Sequence, residues 1–75
     1  MKVIICGEYL NSFKKQSSKG NDILYHRFLV DNEILVCSDF RSDKSALVDR
    51  QTYTLGCTIR LFNGRNYFTL NEIIK

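Results

Sequence analysis

The dipeptide Asn63-Gly64 sits between two runs, Tyr53 to Phe62 and Arg65 to Ile74, in which apolar and polar residues largely alternate. An Asn-Gly pair so flanked is the strongest short-range signal for a two-residue β-hairpin, because a type I′ turn needs positive φ at both central positions. Such a turn also dictates register: Phe62 pairs with Arg65, Leu61 with Asn66, and Arg60 with Tyr67. Side chains alternate across a strand, so one face collects Tyr53, Leu55, Cys57, Ile59 and Leu61 opposite Phe68, Leu70 and Ile74. That is the expected core face, with Glu72 as its one discordant member. The other face collects Thr58, Arg60 and Phe62 opposite Arg65, Tyr67 and Thr69. Rings and cations are thus expected to stand together on the outside.

The remaining chain reads as further strands. Lys2 to Phe13 is rich in Val, Ile and Tyr, with Gly7 in its middle, where a glycine often marks a bulge or a sharp bend. "KKQSSKGND", Lys14 to Asp22, has no hydrophobe and reads as a flexible loop. Ile23 to Val30 and Glu33 to Phe40 are strands two and three, joined by the turn signal Asp31-Asn32. In "RSDKSALVDR", Ser42 or Asp43 is placed to cap a single helical turn through Ala46 and Leu47. Five strands with one small helix between the third and fourth is the element order of the oligonucleotide/oligosaccharide-binding (OB) barrel. An SH3-like or Sm-like barrel is the alternative, but Sm-like chains usually begin with a helix and this one begins with a strand.

Composition excludes several classes. At 75 residues the chain makes one domain, close to the smallest that folds without staples. Its 44% hydrophobic content is too high for disorder. Cys6, Cys37 and Cys57 are an odd set with no C-x-x-C spacing, which argues against a disulfide framework and for reduced cysteines packed as small hydrophobes. No apolar run approaches the roughly 20 residues of a membrane span, and "MKVIIC" is too short for a signal segment. These features together read as a cytosolic protein. No His, Cys or carboxylate cluster has metal spacing, and no nucleophile stands with a base. The lone His26 reads as a half-buried polar residue. Neither an enzyme nor a cofactor is expected.

The outward hairpin face suits single-stranded nucleic acid. Rings offer stacking platforms worth about 1–3 kcal/mol per base, and arginines between them meet phosphates. In "ILYHRFLV", Tyr25 and Arg27 share one face, and Lys14, Lys15 and Lys19 lie in the preceding loop. The formal charge of +3 is a mild bias in the same direction. The candidate nucleic-acid-binding set is therefore Lys14, Lys15, Lys19, Tyr25, Arg27, Arg60, Phe62, Arg65 and Tyr67. Exposed aromatics and arginines also mark protein interfaces, so an adaptor or subunit using this patch is the competing reading.

These segments resemble the small helix-destabilising single-stranded-DNA-binding proteins of filamentous phages and related phage or plasmid proteins. "SSKGNDILY" looks like that family's glycine-then-aromatic segment, with Tyr25 in the aromatic place, and "RLFNGRNYF" looks like its ring-bearing hairpin. The proline common after that glycine is missing here. The resemblance implies an OB barrel that coats single-stranded DNA during replication, and a homodimer.

Overall fold

The structure, a computed structural model, describes residues 1–41 and 47–74. They form five strands: β1 (Lys2–Gln16), β2 (Asp22–Val30), β3 (Glu33–Asp39), β4 (Thr52–Phe62) and β5 (Arg65–Ile73). The strands close into a barrel in the order β1-β2-β3-β5-β4. All neighbours are antiparallel except β3 and β5, whose short parallel pairing runs from Cys37↔Phe68 to Asp39↔Leu70. The expected helical turn at Ser42 or Asp43 to Leu47 lies almost wholly outside the described residues, and Leu47 itself is not helical. Among the described residues no helix is long and apolar enough to cross a membrane.

Closure depends on one long strand serving two neighbours. The first half of β1 pairs with β4 through Glu8, and its second half pairs with β2 out to Gln16. Gly7 lies where the strand changes partner. A Cβ there would stand 2.9 Å from Val30 Cγ2 and 3.0 Å from Phe28 Cβ, so the residue is needed for close approach. The bulge expected near Gly7 falls instead at Leu10, between the pairs Tyr9↔Phe28 and Asn11↔Arg27. Lys14 to Gln16, expected in a loop, continue the strand because β2 supplies partners for each of them. The connection shrinks to a tight turn, in which Ser17 N–H donates to Asn21 O at 2.7 Å and Gly20 takes φ of 85°.

Both hairpin turns have the predicted chemistry, with positive φ at Asp31 and Asn32 and at Asn63 and Gly64. The β4–β5 register is the expected one from Phe62↔Arg65 to Cys57↔Leu70. Beyond it a second bulge skips Asn71 and pairs Gly56 with Glu72 and Leu55 with Ile73. This resolves the discordant glutamate: Glu72 turns outward across Gly56, and Ile73 takes the core place expected of Ile74, which is 47% exposed. Leu61, also expected in the core, is 74% exposed because the hairpin runs on past the barrel wall. The core is Tyr9, Phe28, Cys37, Tyr53, Leu55, Cys57 and Leu70, with Val3, Ile5, Val30, Leu47, Phe68 and Ile73 packed around it.

Candidate nucleic-acid interface

The Leu10 bulge decides what the second half of β1 displays. Before it, Val3, Ile5 and Tyr9 point inward; after it, the exposed Ser12 shares a face with the buried His26, and the half-buried Phe13 takes the other face, opposite Tyr25. The Phe13 and Tyr25 rings are stacked, with centroids 5.1 Å apart and planes 12° from parallel. The Arg27 guanidinium lies over the Phe13 ring, 4.1 Å from its centroid, and donates to Asn11 Oδ1 at 2.9 Å. Phe13 thus contacts both a cation and a second ring on the barrel wall.

Register carries this face around the barrel. One row reads Phe13, Tyr25, Ser38, Thr69 and Thr58; beside it run Asn11, Arg27 and Val36, followed by Tyr67 and Arg60. Ser38 Oγ lies 3.3 Å from Thr69 Oγ1 and from the Phe68 carbonyl, tying β3 to β5 beneath the row. Phe13, Lys15, Tyr25, Val36, Ser38, Asn66, Tyr67 and Phe68 line one groove of about 350 Å³. Four of the residues singled out from sequence, Lys15, Tyr25, Arg27 and Tyr67, therefore come together. Arg60 joins them as the register partner of Tyr67, and Phe62 (53% exposed) and Arg65 pair at the projecting tip. Lys14 departs from the set, since it lines a separate groove of about 500 Å³ with Leu24, Phe40 and Arg41. Lys19 sits in the β1–β2 turn.

Phe13 is the residue that sequence reading missed. An unbroken alternation from Tyr9 would turn Phe13 inward, but it would also turn Asn11 and Lys15 inward, and those two polar residues were the available signal of a bulge.

The barrel interior holds polar groups too. His26 is 5% and Asp39 2% exposed, so the histidine is fully buried rather than half-buried. His26 Nε2 lies 2.7 Å from Asp39 Oδ2, and Arg41 donates to the same carboxylate from Nη2 at 2.9 Å and from Nε and its backbone N–H at 3.0 Å. Burial pushes the Asp39 carboxyl upward, but the hydrogen bonds from Arg41 and His26 outweigh it and hold the group well below the usual carboxylate range. Burial, reinforced by Cys57 and Asp39, pushes the Cys37 thiol up to about 12, and burial raises Cys57 as well. Both are core thiols without thiolate character at neutral pH. Cys6 is exposed, contrary to the expectation of packing, and all three cysteines are free.

Among the described residues no group of three or more His, Cys, Asp or Glu side chains is placed to hold a metal ion. The chain matches no protein-family model and no curated protein sequence.

Proposed function

We propose that this chain is an OB-type barrel that binds single-stranded nucleic acid, most readily DNA, across the β1–β2–β3–β5 wall and along the β4–β5 hairpin. The observation that carries the proposal is the shared groove: the Phe13–Tyr25 stack, Lys15 and Tyr67 open onto one surface, with Arg27 and Arg60 beside it. Unpaired bases meet flat rings there, while cations at the margins meet phosphates. The barrel order, with its parallel β3–β5 contact, supports the OB assignment. The likeness to the phage helix-destabilising proteins supports DNA as the polymer and a dimer as the working unit.

The test is a fluorescence titration with single- and double-stranded oligonucleotides of equal length, at several salt concentrations. Single strands should bind more tightly than duplex. Tyr67→Ala should lose about 1–3 kcal/mol with the salt slope nearly unchanged. Arg60→Ala should instead reduce the slope by about 0.7, the contribution of one phosphate contact on a single strand. Duplex binding as tight as single-strand binding would refute the proposal. So would folded variants that both bind like the parent at every salt concentration.

One feature favours a protein partner instead. Leu61 and Ile34, which are aliphatic and offer no stacking plane, are 74% and 63% exposed. Binding to a protein through such side chains would survive high salt, and oligonucleotide binding through phosphates would not.

A further inference from the structure

Behind the Phe13–Tyr25 stack, a hydrogen-bonded chain crosses three strands. Tyr9 Oη bonds Ser12 Oγ, Ser12 Oγ lies 2.6 Å from His26 Nδ1, and His26 Nε2 lies 2.7 Å from Asp39. An ionised Asp39 only accepts, so His26 carries a proton on Nε2. The Ser12 hydroxyl can both donate and accept, so it bridges Tyr9 Oη and His26 Nδ1. Nucleic-acid binding, as proposed above, uses none of these groups.

We infer that Ser12 and His26 are positioning residues: their hydrogen bond sets the register of β1 beyond its bulge and so holds Phe13 outside, against Tyr25. The consequence for binding rests on the proposed function; the register itself does not. Hydrophobicity alone leaves this segment undecided. Past Tyr9 its apolar residues are Leu10 and Phe13, which fall on opposite parities. A continuous strand would bury the Phe13 ring, yet it would also turn Asn11 and Lys15 inward and carry Ser12 away from His26. A buried imidazole nitrogen would then lack its donor. With the bulge, the exposed Ser12 pairs with the buried His26 on one face of the strands, and the next pair, the half-buried Phe13↔Tyr25, takes the opposite face. A part-buried polar contact on one face thereby specifies an aromatic pair on the other.

The test uses the full chain, with Ser12→Ala to delete the hydroxyl and Ser12→Thr to keep it. Two quantities are read: the nuclear Overhauser contacts between the Phe13 and Tyr25 rings without nucleic acid, and affinity for a labelled oligo-dT. Ser12→Ala should retain a strand-type circular dichroism spectrum, lose the ring contacts, and bind on the order of tenfold more weakly, the scale of one lost stack. Ser12→Thr should restore both. Ring contacts kept in Ser12→Ala, or not restored by Ser12→Thr, overturn the inference. If Ser12→Ala does not fold, Ser12→Cys, which keeps the size but is a weak hydrogen-bonding group, decides: weakened ring contacts sustain the inference and parent-like contacts overturn it. Should the ring contacts vanish as expected in a chain whose parent shows no oligo-dT affinity, the register inference stands and the nucleic-acid proposal falls.

Discussion

Replacing Asp39 by alanine removes the carboxylate on which the polar centre of the barrel converges. Its side chain is fully buried and accepts from His26 Nε2 at 2.7 Å and from three Arg41 donors at 2.9–3.0 Å. Deleting one partner of a buried charged cluster costs about 3–5 kcal/mol, because the remaining groups stay out of water without the acceptor they faced. A domain of 75 residues has, at about 0.05–0.15 kcal/mol per residue, roughly 4–11 kcal/mol in total. The variant should therefore lose between about a quarter and all of its stability. Urea unfolding followed by circular dichroism should show a lower midpoint with an unchanged slope, and a melting temperature lower by roughly 12–40 °C. Acid provides a second arm. The folded carboxyl is held below its ordinary value, so its contribution is complete above the unfolded pKa of about 3.8 and is lost as pH falls below that towards the folded value. The stability gap between parent and Asp39→Ala should narrow over that acid range. A loss under about 1 kcal/mol at neutral pH, the size expected of an exposed pair, would refute the reasoning.

Gly7→Ala should cost about 1–3 kcal/mol by overpacking, since its new Cβ meets Val30 and Phe28 at 2.9 and 3.0 Å; a thermal melt matching the parent would contradict the close approach described for β1. Gly64→Ala meets nothing within 4 Å and should cost only the left-handed backbone penalty at φ 74°, about 1–2 kcal/mol, which urea titration resolves. A thiol reagent should modify one cysteine per folded chain, Cys6, and all three after denaturation; rapid reaction of Cys37 or Cys57 in the folded protein would contradict their burial.

Much of the barrel was legible because its signals are local. Alternation marked the strands, and Asp31-Asn32 and Asn63-Gly64 marked turns that the backbone makes with positive φ. The errors gather at the two bulges, which reverse inside and outside for everything beyond them. Glu72 on a core parity announced the second bulge, and Asn11 and Lys15 announced the first, yet neither signal says which residue is skipped. Lys14 to Gln16 form strand because β2 offers partners, a tertiary fact with no local mark. Leu61 could not be placed because alternation assigns a face, whereas the height of the barrel wall decides whether that face is covered. The candidate site was half legible for the same reason: Tyr67 and Arg60 follow from one turn, while Phe13 depends on a bulge.

A small barrel normally gains most by burying rings and exposing charges, and here the exchange runs partly in reverse. Phe40, Phe62 and Tyr67 are exposed, and Phe13 and Tyr25 are only half-buried, while His26 and Asp39 occupy the interior. Burying a Phe ring is worth about 1.5–3 kcal/mol, whereas a buried ion pair contributes little net stability over apolar residues of similar size. Stability alone therefore does not account for this distribution. Register offers an account: Ser12 and the buried His26 share one face and are hydrogen-bonded, so their neighbours Phe13, Tyr25 and Arg27 fall on the opposite face, where residues from separate strands meet. Departures from local consistency are expected where a chain gives up stability for a site. Here the interior departure and the exterior surface are the two sides of the same strands.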